Sequence, residues 1–200
     1  MIDASWYEAY TNENDPCGSF VLARPAYTNQ NAACSLSLAR DWLSSCVEHA
    51  GTNAHHRYLP PNQTGFIPSL ILGITPDNEC FWDNLCKPDQ TQVVRHACLS
   101  YCWGGDQKMK LRPSTLSAWL TDIPIADLPA IVVEAITVLA SLELHNIWVD
   151  ALCIVQDDPE GVSTQVGMMP HIYQNATVKI TASTASTCYE SFLKSKSPPP

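Results

Sequence analysis

Three short, mostly apolar runs determine the fold predicted from this sequence: HACLSY (96–101), IWV (147–149) and TVKITA (177–182). Runs of this length that end in polar or turn-forming residues are typical of buried strands. Segments with helical spacing separate them, at 128–142 and at 163–175. Strands that alternate with helices indicate an α/β fold of three layers with a mainly parallel sheet.

The residues that follow the three runs are predicted to meet at one edge of this sheet. Parallel strands have their carboxyl ends together, and ligands of open α/β sheets bind in the crevice there. The first run leads into CWGG (102–105), the second into 150–156 and the third into 183–190. The sequence therefore predicts a functional site built from these three loops.

The N-terminal part of the chain has a weaker pattern. Residues 36–50 carry apolar residues at helical spacing and predict a short amphipathic helix, followed by a loop at 51–64. The segment 66–74 predicts an edge strand because it contains Pro68, which cannot donate to a ladder. Residues 75–92 are polar and predict irregular structure.

Two prolines bear on the helices of the C-terminal part. Pro129 suits the first turn of the 128–142 helix, where a missing N–H costs nothing, whereas Pro170 should kink or divide the 163–175 helix. A further short helix is predicted at 114–120.

The chain is accordingly divided into four parts. We expect a loosely ordered arm at 1–35, a helical extension with an irregular lead-in at 36–93, a core at 94–193 and a tail at 194–200.

Size and charge limit the classes of partner. The 200 residues (22.0 kDa) suffice for one domain with its own core, and 46% of them are hydrophobic. The net charge of −9 argues against a nucleic-acid backbone or an anionic membrane surface, because either needs a positive field. A small anionic ligand held by backbone amides is not excluded.

The cysteines and the chain start bear on the compartment. The nine cysteines are odd in number and contain no CxxC pair, so we expect reduced thiols rather than a disulfide framework. Residues 1–18 are acidic and lack the apolar stretch of a secretory signal, and no apolar run approaches the ~18 residues that span a membrane. A cytoplasmic location without a membrane span is expected.

Several spaced motifs resemble the fungal heterokaryon incompatibility domain. They are CLSYCWGG (98–105), LP (128–129) before an apolar helix, WVDALCIVQDD (148–158) and MPHIYQNATVKITA (169–182), in that order. The resemblance covers roughly residues 94–193, with a weaker lead-in from residue 36 that includes WLSSCVEH (42–49).

The resemblance implies a role in non-self recognition and programmed cell death. It also implies a flavodoxin-like core distantly similar to Toll/interleukin-receptor domains, some of which cleave NAD with a glutamate near the carboxyl edge of the sheet. Others in that group only self-associate as adaptors. NAD is therefore one expected substrate, and the alternatives are self-association or protein-partner binding without catalysis, or an inert truncated relative.

The chain also departs from the family pattern. Ile131 stands where a threonine is usual, and Glu134 replaces an aspartate. A usual glycine is replaced in the region of 144–145, PEG (159–161) stands where Asp-Trp is usual, and Pro170 interrupts the helix that follows.

Two carboxylates are the catalytic candidates. Asp150 ends a buried strand, where it could bind a ribose hydroxyl or a developing cation, or else cap the following loop by accepting backbone N–H groups. By resemblance, Glu190 lies where related NAD-cleaving domains carry their glutamate; it could stabilise an oxocarbenium-like transition state or be an exposed loop residue. Glu160 is a poorer candidate.

Five residues are candidates for contact with a cofactor or nucleotide: Ser100, Tyr101, Trp103, Gly104 and Gln156. The glycine permits close approach, and the indole of Trp103 could stack on a base. The alternative, which we favour for the Trp-Gly segment, is a tight turn with the indole packed as a lid on the core.

Two further sets of residues give weak signals. Cys102 or Cys153 with His171 and Asp150 could form a thiol–imidazole–carboxylate set, but both thiols adjoin apolar strands and buried structural cysteine is the favoured interpretation. A zinc site from the CxxH pair at 46–49 with His55 and His56 lacks a four-ligand signature, so no metal is predicted.

Overall fold

A computed structural model describes residues 33–48, 67–76, 81–89 and 94–193. The described part is a mixed α/β structure with one sheet of five strands. In chain order the elements are α1 (Ala33–Glu48), β1 (Ile71–Pro76), β2 (Phe81–Cys86), β3 (Ala97–Ser100), α2 (Pro113–Trp119), a 3-10 helix (Ile125–Asp127), α3 (Ala130–Ser141), β4 (Asn146–Trp148), α4 (Asp150–Cys153), α5 (Pro159–Asn175) and β5 (Val178–Thr181).

The three strands predicted to be parallel are parallel. The strand order is β2-β1-β4-β3-β5, and β3 pairs in parallel with both β4 and β5, for example Ala97 with Ile147 and Leu99 with Ile180. β1 runs antiparallel to β2 and β4, so the sheet as a whole is mixed. The carboxyl ends of β3, β4 and β5 therefore share one edge, as the sequence predicted.

The predicted edge strand at 66–74 is wrong in its position. β1 begins after Pro68 and lies inside the sheet, between β2 and β4. Residues 75–92 were expected to be irregular, but β2 lies within them and forms an antiparallel hairpin with β1. The polar residues Asp83 and Asn84 interrupt the apolar pattern, so the sequence did not predict a strand here. Pairing with β1 holds these residues in an extended ladder.

α3 follows its sequence prediction closely. Pro129 stands at its N-cap, where no amide hydrogen is needed. The residues of its predicted apolar face are buried: Ile131, Val132, Ala135, Ile136, Leu139 and, just past its end, Leu142. Burial of each large aliphatic side chain contributes about 1.5–3 kcal/mol, which makes this helix a main part of the core.

α5 is longer than predicted and is not divided by Pro170, which lies inside it and is exposed. The helix packs on the sheet through its last turns. The carbonyl of Ile172 lies 3.4 Å from Nε2 of His96, and the ring of Tyr173 meets that of Trp148 edge-on, with centroids 5.8 Å apart.

Of the remaining predicted segments, the structure describes the helix but almost nothing of the others. The helix predicted at 36–50 is α1, which contacts α3. The predicted arm and tail, and the loop at 51–64, lie almost wholly outside the described residues. No helix in the described ranges is long and apolar enough to cross a membrane.

Candidate functional site

Trp103 and Asp150 join two of the loops at the shared edge of the sheet. Asp150 begins α4, one residue beyond the end of β4, while Trp103 lies in the loop after β3. The indole Nε1–H of Trp103 donates to Oδ2 of Asp150 at 3.0 Å, and the backbone N–H of Ala151 donates to Oδ1 at 2.7 Å. The carboxylate therefore accepts donors from both loops and ties them together.

Burial sets the electrostatics of Asp150. The low-dielectric surroundings raise the pKa of its carboxyl group, although hydrogen bonds from Ala151, Trp103 and Tyr101 act in the opposite direction. The backbone N–H of Asp150 itself also bonds to the carboxylate. Donors of the chain therefore already engage this group from several sides.

Tyr101 connects this carboxylate to a buried amide. The side chain of Gln107 is buried, and its Nε2 lies 2.9 Å from the hydroxyl oxygen of Tyr101. The hydroxyl of Tyr101 in turn donates to Oε1 of the same amide at 3.1 Å. Burial, followed by the charge of Asp150, raises the pKa of Tyr101, so its hydroxyl stays protonated at neutral pH.

The loop after β5, residues 182–193, lies against the loop after β3, and we call it the strap. The N–H of Cys188 donates to the carbonyl of Trp103 at 3.3 Å. Gly104 has φ +70°, and a Cβ added there would lie 2.6 Å from Cα of Thr187. Glycine is therefore required at 104 both by the backbone conformation and by the close approach of the strap.

A comparison with known families covers the part of the chain that contains this edge of the sheet. Residues 96–199, just over half of the chain, match the family described as heterokaryon incompatibility protein (HET). The chain belongs to the heterokaryon incompatibility family. No curated protein and no solved structure matches it. The matched segment begins at His96, so the three parallel strands and all three strand-end loops belong to this heterokaryon incompatibility domain.

Glu190 lies on the strap of the heterokaryon incompatibility domain. Its Oε2 accepts the backbone N–H of Ser186 at 2.9 Å, which closes a tight turn within the strap. Glu190 is two residues from Cys188, whose N–H donates to the carbonyl of Trp103. Glu160 is exposed in the first turn of α5. A catalytic role for Asp150 or Glu190 stays a prediction.

Gln156 supports the loop after α4. Its side-chain Nε2 donates to the carbonyls of Asp150 and Ile154, at 3.2 and 3.0 Å. Its backbone N–H donates to the carbonyl of Leu111 at 2.9 Å. These bonds hold the backbone of Asp150 in place. Contact of Gln156 with a nucleotide stays a prediction.

Ser100 ends β3 at this edge and is part-buried. Tyr173 of α5 lies beside it and donates its hydroxyl to the carbonyl of Leu99 at 2.9 Å. Burial raises the pKa of Tyr173 to about 12.

The thiols give little support to a cysteine nucleophile. Burial raises the pKa of Cys153 to about 12, so it is a neutral thiol at physiological pH. Cys102 and His171 are both exposed. In the described ranges no group of three or more metal-ligating side chains could hold an ion, and His49, His55 and His56 of the considered zinc set lie outside those ranges.

Sequence reasoning missed Gln107, Tyr173 and the attachment of the strap. Gln107 follows a Gly-Gly-Asp turn and has no neighbour in sequence that marks it as buried. Tyr173 stands next to Ile172, the buried residue of α5, and that position on the inner side of a helix was the available signal.

Proposed function

We propose that this chain acts in the cytoplasm of a fungal cell in non-self recognition and programmed cell death, and that its core at 94–193 binds and cleaves NAD or a related nucleotide. Membership of the heterokaryon incompatibility family supports the cellular role. The hydrogen bond between Trp103 and the half-buried carboxylate of Asp150 carries the chemical part, because it lies where open α/β sheets bind their ligands.

The proposal includes a three-layer, flavodoxin-like arrangement like that of Toll/interleukin-receptor domains. The chain leaves β3 for β4 on one side and then crosses to β5 on the other. Right-handed crossovers in these opposite directions put α3 and α5 on opposite faces of the sheet. The strand order then reverses beside β3, which is where such folds hold nucleotides.

In the proposed reaction, water hydrolyses the bond between the ribose C1′ and the nicotinamide nitrogen. The water oxygen bonds to C1′ and loses one proton, and the electron pair of the broken bond neutralises the departing pyridinium. The carboxylate of Asp150 faces the cation that develops on the sugar and stabilises it by its charge. Glu190 is the second carboxylate of this edge, and Trp103, with Ser100 and Tyr101, lines the base side.

The alternative is a module that signals without catalysis, through self-association or a protein partner. The favouring observation is that chain donors already engage both candidate carboxylates, Asp150 through Trp103 and Glu190 through Ser186. Val166 and Met168 on α5 are also exposed, at 50% and 38%, and offer apolar contact area.

A direct assay separates these two functions. Purified full-length chain is incubated with NAD, and release of free nicotinamide is measured beside Asp150→Asn and the matched surface variant Asp122→Asn. The proposal expects release by the wild type and by Asp122→Asn, and a loss of at least about 100-fold in Asp150→Asn. Equal release by all three contradicts the role of Asp150, and absence of release contradicts cleavage of NAD.

A further inference from the structure

Glu134 of α3 holds the end of the strap. This part-buried side chain accepts two backbone N–H groups at a single carboxylate oxygen, Oε2, from Phe192 at 2.8 Å and from Leu193 at 3.1 Å. Hydrogen bonds to an ionised acceptor are roughly twice as strong as neutral ones. Phe192 itself is buried in the core, so the strap is fixed by packing and by charge at the same point.

A second contact with α3 lies one turn earlier in the helix. The N–H of Ile131 donates to the carbonyl of Cys188 at 3.3 Å, and the N–H of Cys188 donates to the carbonyl of Trp103 at 3.3 Å. Cys188 therefore bridges α3 and the loop after β3. A continuous series of contacts runs from Glu134 along the strap to Trp103, and from its indole to Asp150.

We infer that Glu134 is a positioning residue: it holds the strap against the loop of Trp103 and so sets the geometry of the Trp103–Asp150 pair. Without Glu134, the N–H groups of Phe192 and Leu193 lose their acceptor. The strap end then keeps the packing of Phe192, the bond from the hydroxyl of Thr184 to the carbonyl of Phe192, and the Cys188 bridge. The effect of Glu134 on turnover rests on the proposed NAD cleavage, whereas its effect on Trp103 does not.

The experiment uses the full chain with Glu134→Ala, Glu134→Gln and the control Thr137→Ala, an exposed position on the same helix. Amide exchange of Phe192 and Leu193 reports on the strap. The NMR resonance of the Trp103 indole N–H, assigned with Trp103→Phe, reports on the Trp103–Asp150 pair.

We expect amide exchange at least about tenfold faster in Glu134→Ala, with a displaced indole resonance. Glu134→Gln keeps an acceptor oxygen and should lie between Ala and wild type.

Turnover gives the third reading. For a chain that cleaves NAD, kcat should fall about tenfold in Glu134→Ala with little change in KM, be partly restored in Glu134→Gln, and be unchanged in Thr137→Ala. Unchanged amide exchange overturns the inference. The inference is also overturned if Glu134→Ala exchanges its amides faster but has the same indole resonance and the same kcat as Thr137→Ala. Glu134 would then act on the strap alone.

Two outcomes are kept apart by this design. If the wild type leaves NAD intact, the proposed function fails, and the indole resonance alone decides whether Glu134 positions Trp103. If Glu134→Ala does not fold, Glu134→Gln decides the question, because its amide oxygen can still accept both N–H groups.

Discussion

The indole N–H of Trp103 and the carboxylate of Asp150 meet at 3.0 Å across 47 positions of the chain. This bond ties the loop after β3 to the loop after β4, and the same Trp103 contacts the strap through its carbonyl. Trp103 is thus the residue that links all three strand-end loops. Its removal should affect the edge of the sheet more than the loss of an ordinary surface aromatic.

Replacing Trp103 by phenylalanine should lower the free energy of unfolding by about 1.5–3 kcal/mol, because a partly buried carboxylate loses a donor. Urea denaturation measures the change. Trp42→Phe is the matched control, since Trp42 is 64% exposed, and it should change stability by less than about 0.5 kcal/mol. Equal effects of the two substitutions would show that the indole bond is not stabilising.

The two glycines at 104 and 167 should respond to alanine in opposite ways. Gly104 has φ +70° and lies against Thr187, so Gly104→Ala should destabilise the protein by more than about 2 kcal/mol. Gly167 lies in α5 with open space around it, so Gly167→Ala should stabilise by about 0.5–1 kcal/mol. Thermal unfolding distinguishes the two, and a tolerated Gly104→Ala would contradict the close approach of the strap.

The raised pKa of Asp150 has a consequence for stability as a function of pH. Burial raises this pKa above its ordinary value of 3.8, so the folded protein binds the proton more tightly than the unfolded chain does. Stability should therefore fall as the pH rises from about 3.8 through the folded pKa. Asp150→Asn does not titrate and should lack this component.

Urea unfolding of wild type and Asp150→Asn, measured between about pH 4 and about pH 7, tests this sign. The wild type should lose stability relative to the variant as the pH increases. A wild type that gains stability relative to Asp150→Asn over that range would mean that the hydrogen bonds to the carboxylate outweigh its burial.

The buried thiols should be unreactive in the native protein. Burial raises the pKa of Cys98 and of Cys153 to about 12, whereas Cys102 is exposed. Brief treatment with a maleimide at neutral pH, followed by peptide mass spectrometry, should label Cys102 and leave the other two unmodified until urea is added. Rapid native labelling of Cys153 would contradict its place in the core.

The sequence predicted the elements whose stability comes from apolar burial. β3, β4 and β5 are short apolar runs, and α3 presents a regular apolar face, so their positions follow from pattern alone. β2 was missed because a hairpin partner, rather than an apolar pattern, holds its polar residues in a strand. Pro170 did not divide α5: the helix continues through it to Asn175, with the ring exposed.

The site was predictable in location but not in its connections. Strand ends determine which residues share the edge, and this was enough to select Trp103 and Asp150. The bond between Glu134 and Phe192 joins residues 58 positions apart, and Gln107 is buried by the folding of its loop. Such contacts depend on tertiary structure, and no local spacing predicts them.

The most direct test of the proposed function is the cellular NAD level after induced expression of the full chain, beside Asp150→Asn and Glu190→Gln. The account predicts that NAD falls before viability does, and that Asp150→Asn prevents both changes. Cell death with NAD intact would contradict the account and would favour signalling through self-association or a protein partner.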